Sequence, residues 1–536
     1  MITTSGVTIA FSGNALYENV SVKFLPGNCY GLIGANGSGK STFLKAISGE
    51  IDITQGHIGI EEGRRMAVLS QDQFAFDDYL VLETVLMGYK ALYEVYAERN
   101  RLYEKDDLTD EEGMLIGDLE ERFGEMDGYS AEADAAILLN ELGIDEQLHE
   151  KKMNELEAGE KIRVLLAQAL FGNPDILLLD EPTNQLDYKT IMWLENYLLD
   201  FENLVIVVSH DRHFLNKVCT HIADVDFGQI KIYPGNYDFW KQSVSLAQQQ
   251  REDQHKKSEQ KIKELEDFVR RFSANASKSK QATSRKKLIE KIRPEELPVS
   301  TRKSPYINFN NSKKCGTKIV ECENISVSVD GEQVLKDVSF SISKGEKCVI
   351  AGYNSVSKTA LLDILAGKLQ PDSGQVSWGE SVDWSYFPKD NSEFFSKKQQ
   401  LVEWLDGFSD IDDILVLRGF LGRLLFSGDD AKKDVTVLSG GEKARAMFSR
   451  MMVLEPNTMI FDEPTDHLDL EAISSLNEGL IQYKGSLIFT SQDFELVNTV
   501  ANRVIEVSPK GFLDVPTDYN DYMTNERIAL RRADLA

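Results

Sequence analysis

The order of apolar and polar positions along the chain predicts buried strands that alternate with helices. Three apolar runs, CYGLI (29–33), ILLLD (176–180) and LVIVV (204–208), have the length of buried strands. The segment STFLKAI (41–47) follows the first run and reads as the start of a helix. Strands that alternate with helices in this way predict an α/β fold.

The chain also repeats itself. The segment LYENVSVKF from Leu16 matches VLKDVSFSI from Val334, and the same spacing relates the residues that follow; we call it the first offset. Further along, LLLDEPTNQLD from Leu177 matches MIFDEPTDHLD from Met459, and this shorter spacing, the second offset, also relates VSHD to TSQD. The first copy therefore holds about 36 residues more than the second between these two regions.

The additional residues of the first copy are expected near 85–130. There the apolar spacing of Leu92, Tyr96 and Tyr103 is typical of a helix, and KDDLTDEEG interrupts it. We interpret this segment as two antiparallel helices that form an arm. The alternative is a longer ordinary helical subdomain.

Between the copies, residues 241–305 change from helical to small and polar at SANASKSKQATS, and then back to helical. An apolar stripe on the first helix can face apolar residues of the returning helix, as in a two-helix hairpin, and Pro294 and Pro298 end it. A flexible linker rich in Gly, Ser or Pro would lack such a stripe. The stripe consists of Ile262, Leu265, Phe268, Val269 and Phe272, and the facing residues are Leu288, Ile289 and Ile292.

Composition indicates what class of protein this is and in which cellular compartment it is expected. A chain of 536 residues exceeds one hydrophobic core, and its 42% hydrophobic and 27% charged residues are ordinary for a globular protein. No apolar run reaches about 18 residues, and MITTSGVTIAF does not resemble a signal peptide. The cysteines form no CxxC pair, which favours reduced thiols and a cytoplasmic location over disulfides or a zinc site. They are Cys29, Cys219, Cys315, Cys322 and Cys348.

Charge limits where nucleic acid could bind. The net charge is −28, so the whole chain repels nucleic acid and contact requires a local basic patch. Such a patch lies between Arg270 and Arg293, with nine Lys or Arg residues against one acid, Glu290. The alternative is a solvated helix face, which the contrast with the acidic remainder disfavours.

The sequence GANGSGKST (34–42) predicts a phosphate-binding loop between a strand and a helix. Its glycines let backbone N–H groups surround phosphates, and the helix N-terminus points at them. Lys40 is expected to reach the β- and γ-phosphates, and the Ser41 hydroxyl is expected to bind Mg²⁺.

Two carboxylates end the segment ILLLDE (176–181). Asp180 is placed to hold Mg²⁺, directly or through water, and Glu181 to polarise the attacking water. His210, after the next apolar strand, is a candidate for contact with the γ-phosphate. A lone histidine is more often structural, but its place one strand after the carboxylates favours function.

Two short motifs then carry a family resemblance. LSGGE (438–442) precedes the second DEPT segment, and LEAGE (156–160) takes that place before the first. LSGGE is the signature of ATP-binding-cassette (ABC) ATPases. Two such cassettes with an arm, a basic helical linker and no membrane domain resemble the ABC-F family. Segments similar to its YbiT-like subgroup are QDQFAFDDY, FGEMDGYSAEA, RVLLAQALF, RFSANASKSKQATSR and LGRLLFS.

The resemblance implies a fold and a division into domains. It implies two tandem ABC-type P-loop nucleotide-binding domains of α/β class, joined by a basic α-helical hairpin linker. The first ATP-binding cassette would span 1–240, the linker 241–305, and the second cassette, with a degenerate phosphate loop, 317–536. The chain would be a monomer in which its own two cassettes pair.

In this family the cassettes close head to tail, so each ATP would lie between the phosphate loop of one copy and the signature of the other. The first composite site has every element in standard form, with Phe11 as the aromatic that stacks on adenine, Glu181, His210 and Lys40 as catalytic residues, and Mg²⁺ held by Ser41, Gln71 and Asp180. Its ATP-binding residues are Phe11, Gly34, Ala35, Asn36, Gly37, Ser38, Gly39, Lys40, Ser41, Thr42, Gln71, Ser439, Gly440, Gly441 and Glu442.

The second composite site departs from the pattern at several positions. Val329 replaces the stacking aromatic, Ser357 replaces Gly39, Ala360 replaces Thr42, Lys389 replaces Gln71 and Gln492 replaces His210. Glu157 stands where the signature serine would donate to the γ-phosphate, so like charges would meet. Any positive φ at Ser357 would be strained. The residues of this site are Gly352, Asn354, Ser355, Ser357, Lys358, Thr359, Asp462, Glu463, Gln492, Glu157 and Gly159.

Because these losses fall in one composite site, we expect an asymmetric ATPase in which the first site turns over. The ABC-F resemblance further implies binding to the ribosomal exit site, contact with peptidyl-site tRNA through the linker, and release on ATP hydrolysis. The candidate RNA-binding residues are Arg271, Lys278, Lys280, Arg285, Lys286 and Lys287.

Other roles remain open. Protection of the ribosome from antibiotics uses the same posture, although the short hairpin tip of this chain favours a translation factor. A cassette partner of a membrane transporter is the third possibility, but a transporter cassette has no use for the basic hairpin.

Overall fold

The structure is a computed structural model that describes residues 1–11, 14–69, 72–105, 109–184, 186–272, 284, 287–290, 302–311, 313–352, 355–533 and 535. The chain forms two compact units. The first consists of Met1–Pro182, Glu195–Ser209 and Phe214–Thr301. The second consists of Thr183–Leu194, His210–His213 and Arg302–Ala536.

Among its described residues, the first copy of the repeat forms ten strands and the long helix that follows them. Its strands are β1 (Ile2–Phe11), β2 (Asn14–Val20), β3 (Lys23–Phe24), β4 (Cys29–Gly34), β5 (Gln55–Ile60), β6 (Met66–Val68), β7 (Ile176–Asp180), β8 (Leu204–Val208), β9 (His221–Asp226) and β10 (Gln229–Pro234). Its helices are α1 (Lys40–Ser48), α2 (Val81–Leu86), α3 (Lys90–Tyr103), α4 (Asp110–Glu125), α5 (Ala131–Glu141), α6 (Glu146–His149), α7 (Ala158–Leu170), α8 (Tyr188–Leu199), α9 (Arg212–Val218) and α10 (Tyr237–Phe272).

Six of these strands form one sheet in the order β10-β9-β4-β8-β7-β6. All pairs are parallel except β9 with β10. The apolar runs predicted as strands form β4, β7 and β8, and their side chains are almost wholly buried because a parallel sheet is covered on both faces. A second sheet, β2-β1-β3 with β5 on β1, packs over a core that includes Phe43 and Ile47 of α1.

Helices α3 and α4 pack side by side as the predicted arm helices. Arg99 forms a salt bridge of 2.8 Å with Glu120, and its guanidinium lies 4.2 Å from the ring centroid of Phe123. The Tyr103 hydroxyl donates to Glu120 as well. The two helices are antiparallel, because Tyr96 of α3 stacks on Phe123 near the end of α4, whereas Lys105, just after α3, pairs with Glu112 in the first turn of α4. Thr109 begins α4 with a capping box that closes on Glu112.

Helix α10 carries the first half of the predicted linker. It runs for 36 residues, which at 1.5 Å per residue is about 54 Å. Ile262 and Leu265 of the predicted stripe are partly buried. Residues 287–290 of the returning segment are helical, with Leu288 exposed. The predicted tip at 273–283, together with Ile292, Pro294 and Pro298, lies outside the described residues.

The second copy repeats the strand order. Its strands are β11 (Lys318–Val329), β12 (Glu332–Ser343), β13 (Lys347–Ala351), β14 (Ser373–Trp378), β15 (Trp384–Phe387), β16 (Thr458–Phe461), β17 (Ser486–Phe489), β18 (Arg503–Ser508) and β19 (Gly511–Val515). Its helices are α11 (Ser355–Leu365), α12 (Leu401–Asp406), α13 (Ile414–Arg423), α14 (Gly440–Leu454), α15 (Leu470–Gln482), α16 (Phe494–Val500), α17 (Tyr519–Thr524) and α18 (Glu526–Ala533).

Its six-stranded sheet has the order β15-β16-β17-β13-β18-β19, which is the order of the first copy read from the other edge. The register agrees as well, because Phe11 pairs with Asn14 in the first copy and Val329 pairs with Glu332 in the second. The first offset therefore relates structurally equivalent positions. The predicted α/β class with two tandem cassettes is confirmed.

Candidate functional site

The first phosphate loop joins the end of β4 to the start of α1. Gly37 and Gly39 have φ angles of 78° and 93°, a region that residues with a Cβ rarely adopt. A Cβ on Gly39 would lie 2.5 Å from Cδ2 of Leu16. The glycine is therefore required both by backbone conformation and by space, and the loop backbone lies open as a cradle for phosphate.

The side chain of Lys40 is held over this loop. Lys40 is 8% exposed, and its Nζ donates to the carbonyl oxygens of Gly34 at 2.9 Å and Ala35 at 3.2 Å. An ammonium at the N-terminus of a helix, beside a glycine-rich turn, suits the phosphates of a nucleotide. Ser41 and Thr42 follow it in the first turn of α1.

The predicted carboxylates lie at the same edge of the sheet as this loop. Strands β4, β8 and β7 are parallel neighbours, so their carboxyl ends meet at one edge. Asp180 ends β7, and Glu181 follows it with a left-handed φ of 52° while its N–H donates to the Val208 carbonyl at 2.9 Å. A hydroxyl and a carboxylate are ligands that Mg²⁺ prefers, and Ser41 and Asp180 provide them here.

For the other predicted residues of the first site, Phe11, His210 and Gln71, the structure shows less of the surroundings. Phe11 ends β1 and is 55% exposed, as a residue that stacks on a base requires. His210 follows β8 and belongs to the second compact unit, and its contact with the γ-phosphate stays a prediction. Gln71 lies outside the described residues.

The second phosphate loop has a different backbone. Helix α11 begins at Ser355, the counterpart of Gly37, and so three residues earlier than α1. Ser357 is helical and fully buried, with no positive φ, and its hydroxyl donates to the Val334 carbonyl at 2.7 Å. The expected strain at Ser357 is therefore absent, because the chain has wound into the helix and the side chain points to the interior.

The carboxylates of the second copy have close partners. Asp462 accepts hydrogen bonds from the hydroxyls of Thr359 at 2.8 Å and Thr490 at 2.7 Å. Glu463 is 3% exposed, lies 3.5 Å from the ammonium of Lys358, and accepts a hydrogen bond from the Gln492 N–H at 2.9 Å. Burial raises the pKa of Glu463, and the Lys358 ammonium opposes that rise. Lys358 thus pairs with the carboxylate of its own copy.

Two further residues of this region change the charge pattern. Lys389 donates to the Ser355 hydroxyl at 3.2 Å. Asp466 stands where the first copy has Asn184, and burial raises its pKa while Lys389 opposes the rise. Sequence reasoning missed Asp466 and Thr490. The signal was available, since the second offset sets them against neutral Asn184 and Val208.

The two signature segments start helices in the same way. Ser439 caps α14, and its N–H donates to Glu442 at 2.9 Å. Glu157 caps α7, and its N–H donates to Glu160 at 3.0 Å. Both Ser439 and Glu157 are exposed, so a carboxylate is presented in one copy where the other presents a hydroxyl. Gly440 and Gly441 begin α14, and Gly159 lies in α7.

The candidate RNA-binding residues are only partly described. Arg271 lies near the end of α10, and Lys287 is exposed. Lys278, Lys280, Arg285 and Lys286 lie outside the described residues, as does Asn354 of the second loop. Gly352 precedes that loop with a φ of 155°.

The structure also bears on metal and membrane chemistry. Each cysteine is a free thiol. Within the described ranges, His, Cys, Asp and Glu side chains form no cluster of three or more that could hold a metal ion. No helix among the described residues is both long and apolar enough to cross a membrane.

Comparison with known proteins bears on the family. Two family models described as ABC transporter match the chain, one at 17–184 and 335–466 and the other at 223–309. YkpA of Bacillus subtilis (strain 168), named an uncharacterized ABC transporter ATP-binding protein, is 51% identical over 100% of this chain and 99% of its own. The probable ATP-binding protein YbiT of Escherichia coli O157:H7 is 47% identical over 98% of this chain and 100% of its own.

A plant relative and a solved structure extend the comparison. ABC transporter F family member 2 of Arabidopsis thaliana is 32% identical over 99% of this chain and 79% of its own. The archaeal ribosome recycling factor aABCE1, solved with the ribosomal stalk protein aP1, aligns with a TM-score of 0.63 at 17% identity over 98% of this chain and 92% of its own. At that identity the likeness shows the fold.

Proposed function

This chain belongs to the ATP-binding-cassette family as an ABC-F-type ATPase, and from that premise we propose that it acts on the ribosome as a nucleotide-gated clamp. In this proposal the closed, ATP-bound form binds the ribosomal exit site, and the linker contacts peptidyl-site tRNA. ATP hydrolysis then opens the cassettes and releases the protein. Nucleotide can control binding only if the closed form has the higher affinity for the ribosome.

The basic segment between the cassettes carries the proposal. Nine basic residues against one acid, in a chain of net charge −28, concentrate affinity for RNA at 270–293. The 36-residue helix α10 leads directly into this segment and gives it reach. An archaeal ribosome recycling factor has the same tandem fold, so the fold is compatible with work on ribosomes.

We further propose that the first composite site turns ATP over and that the second holds nucleotide without turnover. The first site would use Lys40 on the phosphates, Ser41, Gln71 and Asp180 on Mg²⁺, and Glu181 on the attacking water. Phe11 would stack on adenine, His210 would contact the γ-phosphate, and Ser439 and its glycines would close over the phosphates. The pairing of Glu463 with Lys358 supports the inactivity of the second site, because it occupies the carboxylate that would act as base.

Cosedimentation with ribosomes tests the clamp. Glu181→Gln removes the carboxylate that polarises water and leaves the shape of the site unchanged, so the protein should stay closed on ATP. We expect this variant to be enriched on ribosomes in ATP by about tenfold over wild type, and not in ADP. Equal sedimentation of variant and wild type in ATP would contradict the clamp.

A charge variant tests the RNA contact in the same assay. Neutralising Arg271, Lys278, Lys280, Arg285, Lys286 and Lys287 should weaken binding and make it less dependent on salt, because fewer counterions are released. Lys256 and Lys257, neutralised together on the exposed surface of α10 outside the basic segment, provide the control. Should the control weaken binding as much, the basic segment would have no special role.

A further inference from the structure

We propose that the second phosphate loop holds a nucleotide without a divalent cation, and that the ammonium of Lys389 supplies the positive charge which Mg²⁺ supplies in the first site. This inference rests on the proposed function, which assigns the second loop as a nucleotide site. The family match over 335–466 points to a nucleotide there independently of the loop geometry.

The first step is the position of the ammonium. Lys389 Nζ lies 3.2 Å from the hydroxyl of Ser355, the first residue of α11, and so at the helix end where phosphates would bind. Its charge also acts on the buried carboxyls of Glu463 and Asp466. The ammonium therefore lies at the helix start, and its charge lowers the pKa of both carboxyls against the effect of burial.

The second step is that the residues present do not suit Mg²⁺. Lys389 replaces Gln71, and an ammonium has no acceptor atom to offer a metal while it repels a divalent cation nearby. Both oxygens of Asp462 accept hydroxyl hydrogens, one from Thr359 and one from Thr490. In the first copy the position of Thr490 is held by Val208, which has no hydroxyl. Compared with the first site, a metal ion here would lack the ligand expected from Gln71 and would lie near the positive charge of Lys389.

The third step is that the residues do suit a polyphosphate. Helix α11 begins at Ser355, so the positive end of its dipole lies there, and Lys358 adds a second ammonium in its first turn. Asp466 appears together with Lys389, so the added ammonium is balanced when phosphate is absent. The second copy thus has one additional basic residue, Lys389, and one additional acidic residue, Asp466, so the ammonium that would replace the metal ion is balanced in charge.

Nucleotide binding in the full chain tests the proposal with a readout other than turnover. Lys40→Ala disables the first loop and leaves the second as the binding site for a fluorescent ATP analogue. We expect the affinity of the Lys40→Ala protein for this analogue to change less than about threefold when EDTA replaces Mg²⁺. The converse variant, Lys358→Ala, reports the first loop and should lose more than about tenfold in EDTA.

Substitutions of Lys389 assign the effect to its charge. In the Lys40→Ala protein, Lys389→Gln should restore dependence on the metal, with a loss of more than about tenfold in EDTA, whereas Lys389→Arg keeps the charge and should stay insensitive. Lys344→Gln is the matched control, because Lys344 is exposed at the opposite end of β13.

Three outcomes overturn the proposal. They are loss of binding to the Lys40→Ala protein in EDTA, no nucleotide binding to that protein at all, and a Lys389→Gln variant that remains insensitive to EDTA. Since no ribosome is present in this assay, its failure is distinct from failure of the clamp, which cosedimentation measures.

Discussion

Gly39 and Ser357 occupy the same place in the two copies, yet the backbone there has two conformations. With glycine the chain takes a φ of 93° and passes close to Leu16. With serine it is helical, and the hydroxyl binds the carbonyl of Val334, the counterpart of Leu16. The segment thus forms a loop where glycine stands at 37 and 39, and the first turn of a helix where serine stands at 355 and 357.

A substitution at Gly39 alone should therefore disturb the loop of the first copy. Gly39→Ala combines a strained φ, which costs about 1–2 kcal/mol, with a Cβ 2.5 Å from Leu16, which adds about 1–3 kcal/mol. We expect a lower thermal unfolding midpoint. We also expect ATP binding at the first loop to weaken at least tenfold, since a loss of about 1.4 kcal/mol is a factor of ten in affinity.

Gly37→Ala is the matched control for that substitution. Gly37 also has a positive φ, but a Cβ there would meet nothing within 4 Å. It should show the strain without the clash. If the two variants lost equal stability, the contact with Leu16 would not explain why glycine is needed.

For single residues, the sequence predicts the motifs better than it predicts the hydrogen-bond partners of their side chains. Lys40, Asp180 and Glu181 follow from spacing, because a glycine-rich loop after a strand has few other uses. The second offset marks Thr490 as a change from Val208, but it does not show that the Thr490 hydroxyl bonds Asp462, because that contact joins residues 28 apart in sequence. The winding of α11 was also missed, since serine was weighed only as a strained replacement for glycine.

At the scale of elements, one polar residue joins the two arm helices in addition to their buried apolar side chains. Arg99 joins α3 to α4 through Glu120 and lies against the ring of Phe123. The spacing of Leu92 and Tyr96 predicted the helices, and KDDLTDEEG predicted the break between them. The sequence could not predict which polar residues would face the partner helix, because helical periodicity does not indicate contacts between two helices.

Arg99→Ala should therefore open the arm without unfolding the cassette. Loss of a salt bridge and a cation–π contact should speed hydrogen exchange of α4 by about tenfold. Arg101→Ala is the control, because Arg101 is exposed and its salt bridge, to Glu98, lies within α3. Exchange in α4 that rose equally in both variants would contradict this assignment.

At the scale of the whole molecule, the repeat was the most informative feature of the sequence. Two copies related by the first and second offsets imply two sheets of equal strand order, and the structure has them. The offsets also align each departure of the second copy with an intact residue of the first. Alignment of the two copies could not predict how the replaced residues interact with one another, such as the effect of the Lys389 charge on the pKa of Asp466.

The asymmetry of the two sites is a property of the whole chain, so its test must compare equal changes in both copies. Glu181→Gln removes the proposed base of the first site, and steady-state phosphate release should fall by at least about a hundredfold. Glu463→Gln alters a carboxylate that is buried, paired with Lys358 and bound by the Gln492 N–H. Its loss should change phosphate release by less than about twofold, because a carboxylate so engaged does not act on water. Equal losses in the two variants would show that both sites turn over and that the paired carboxylate is released when the cassettes close.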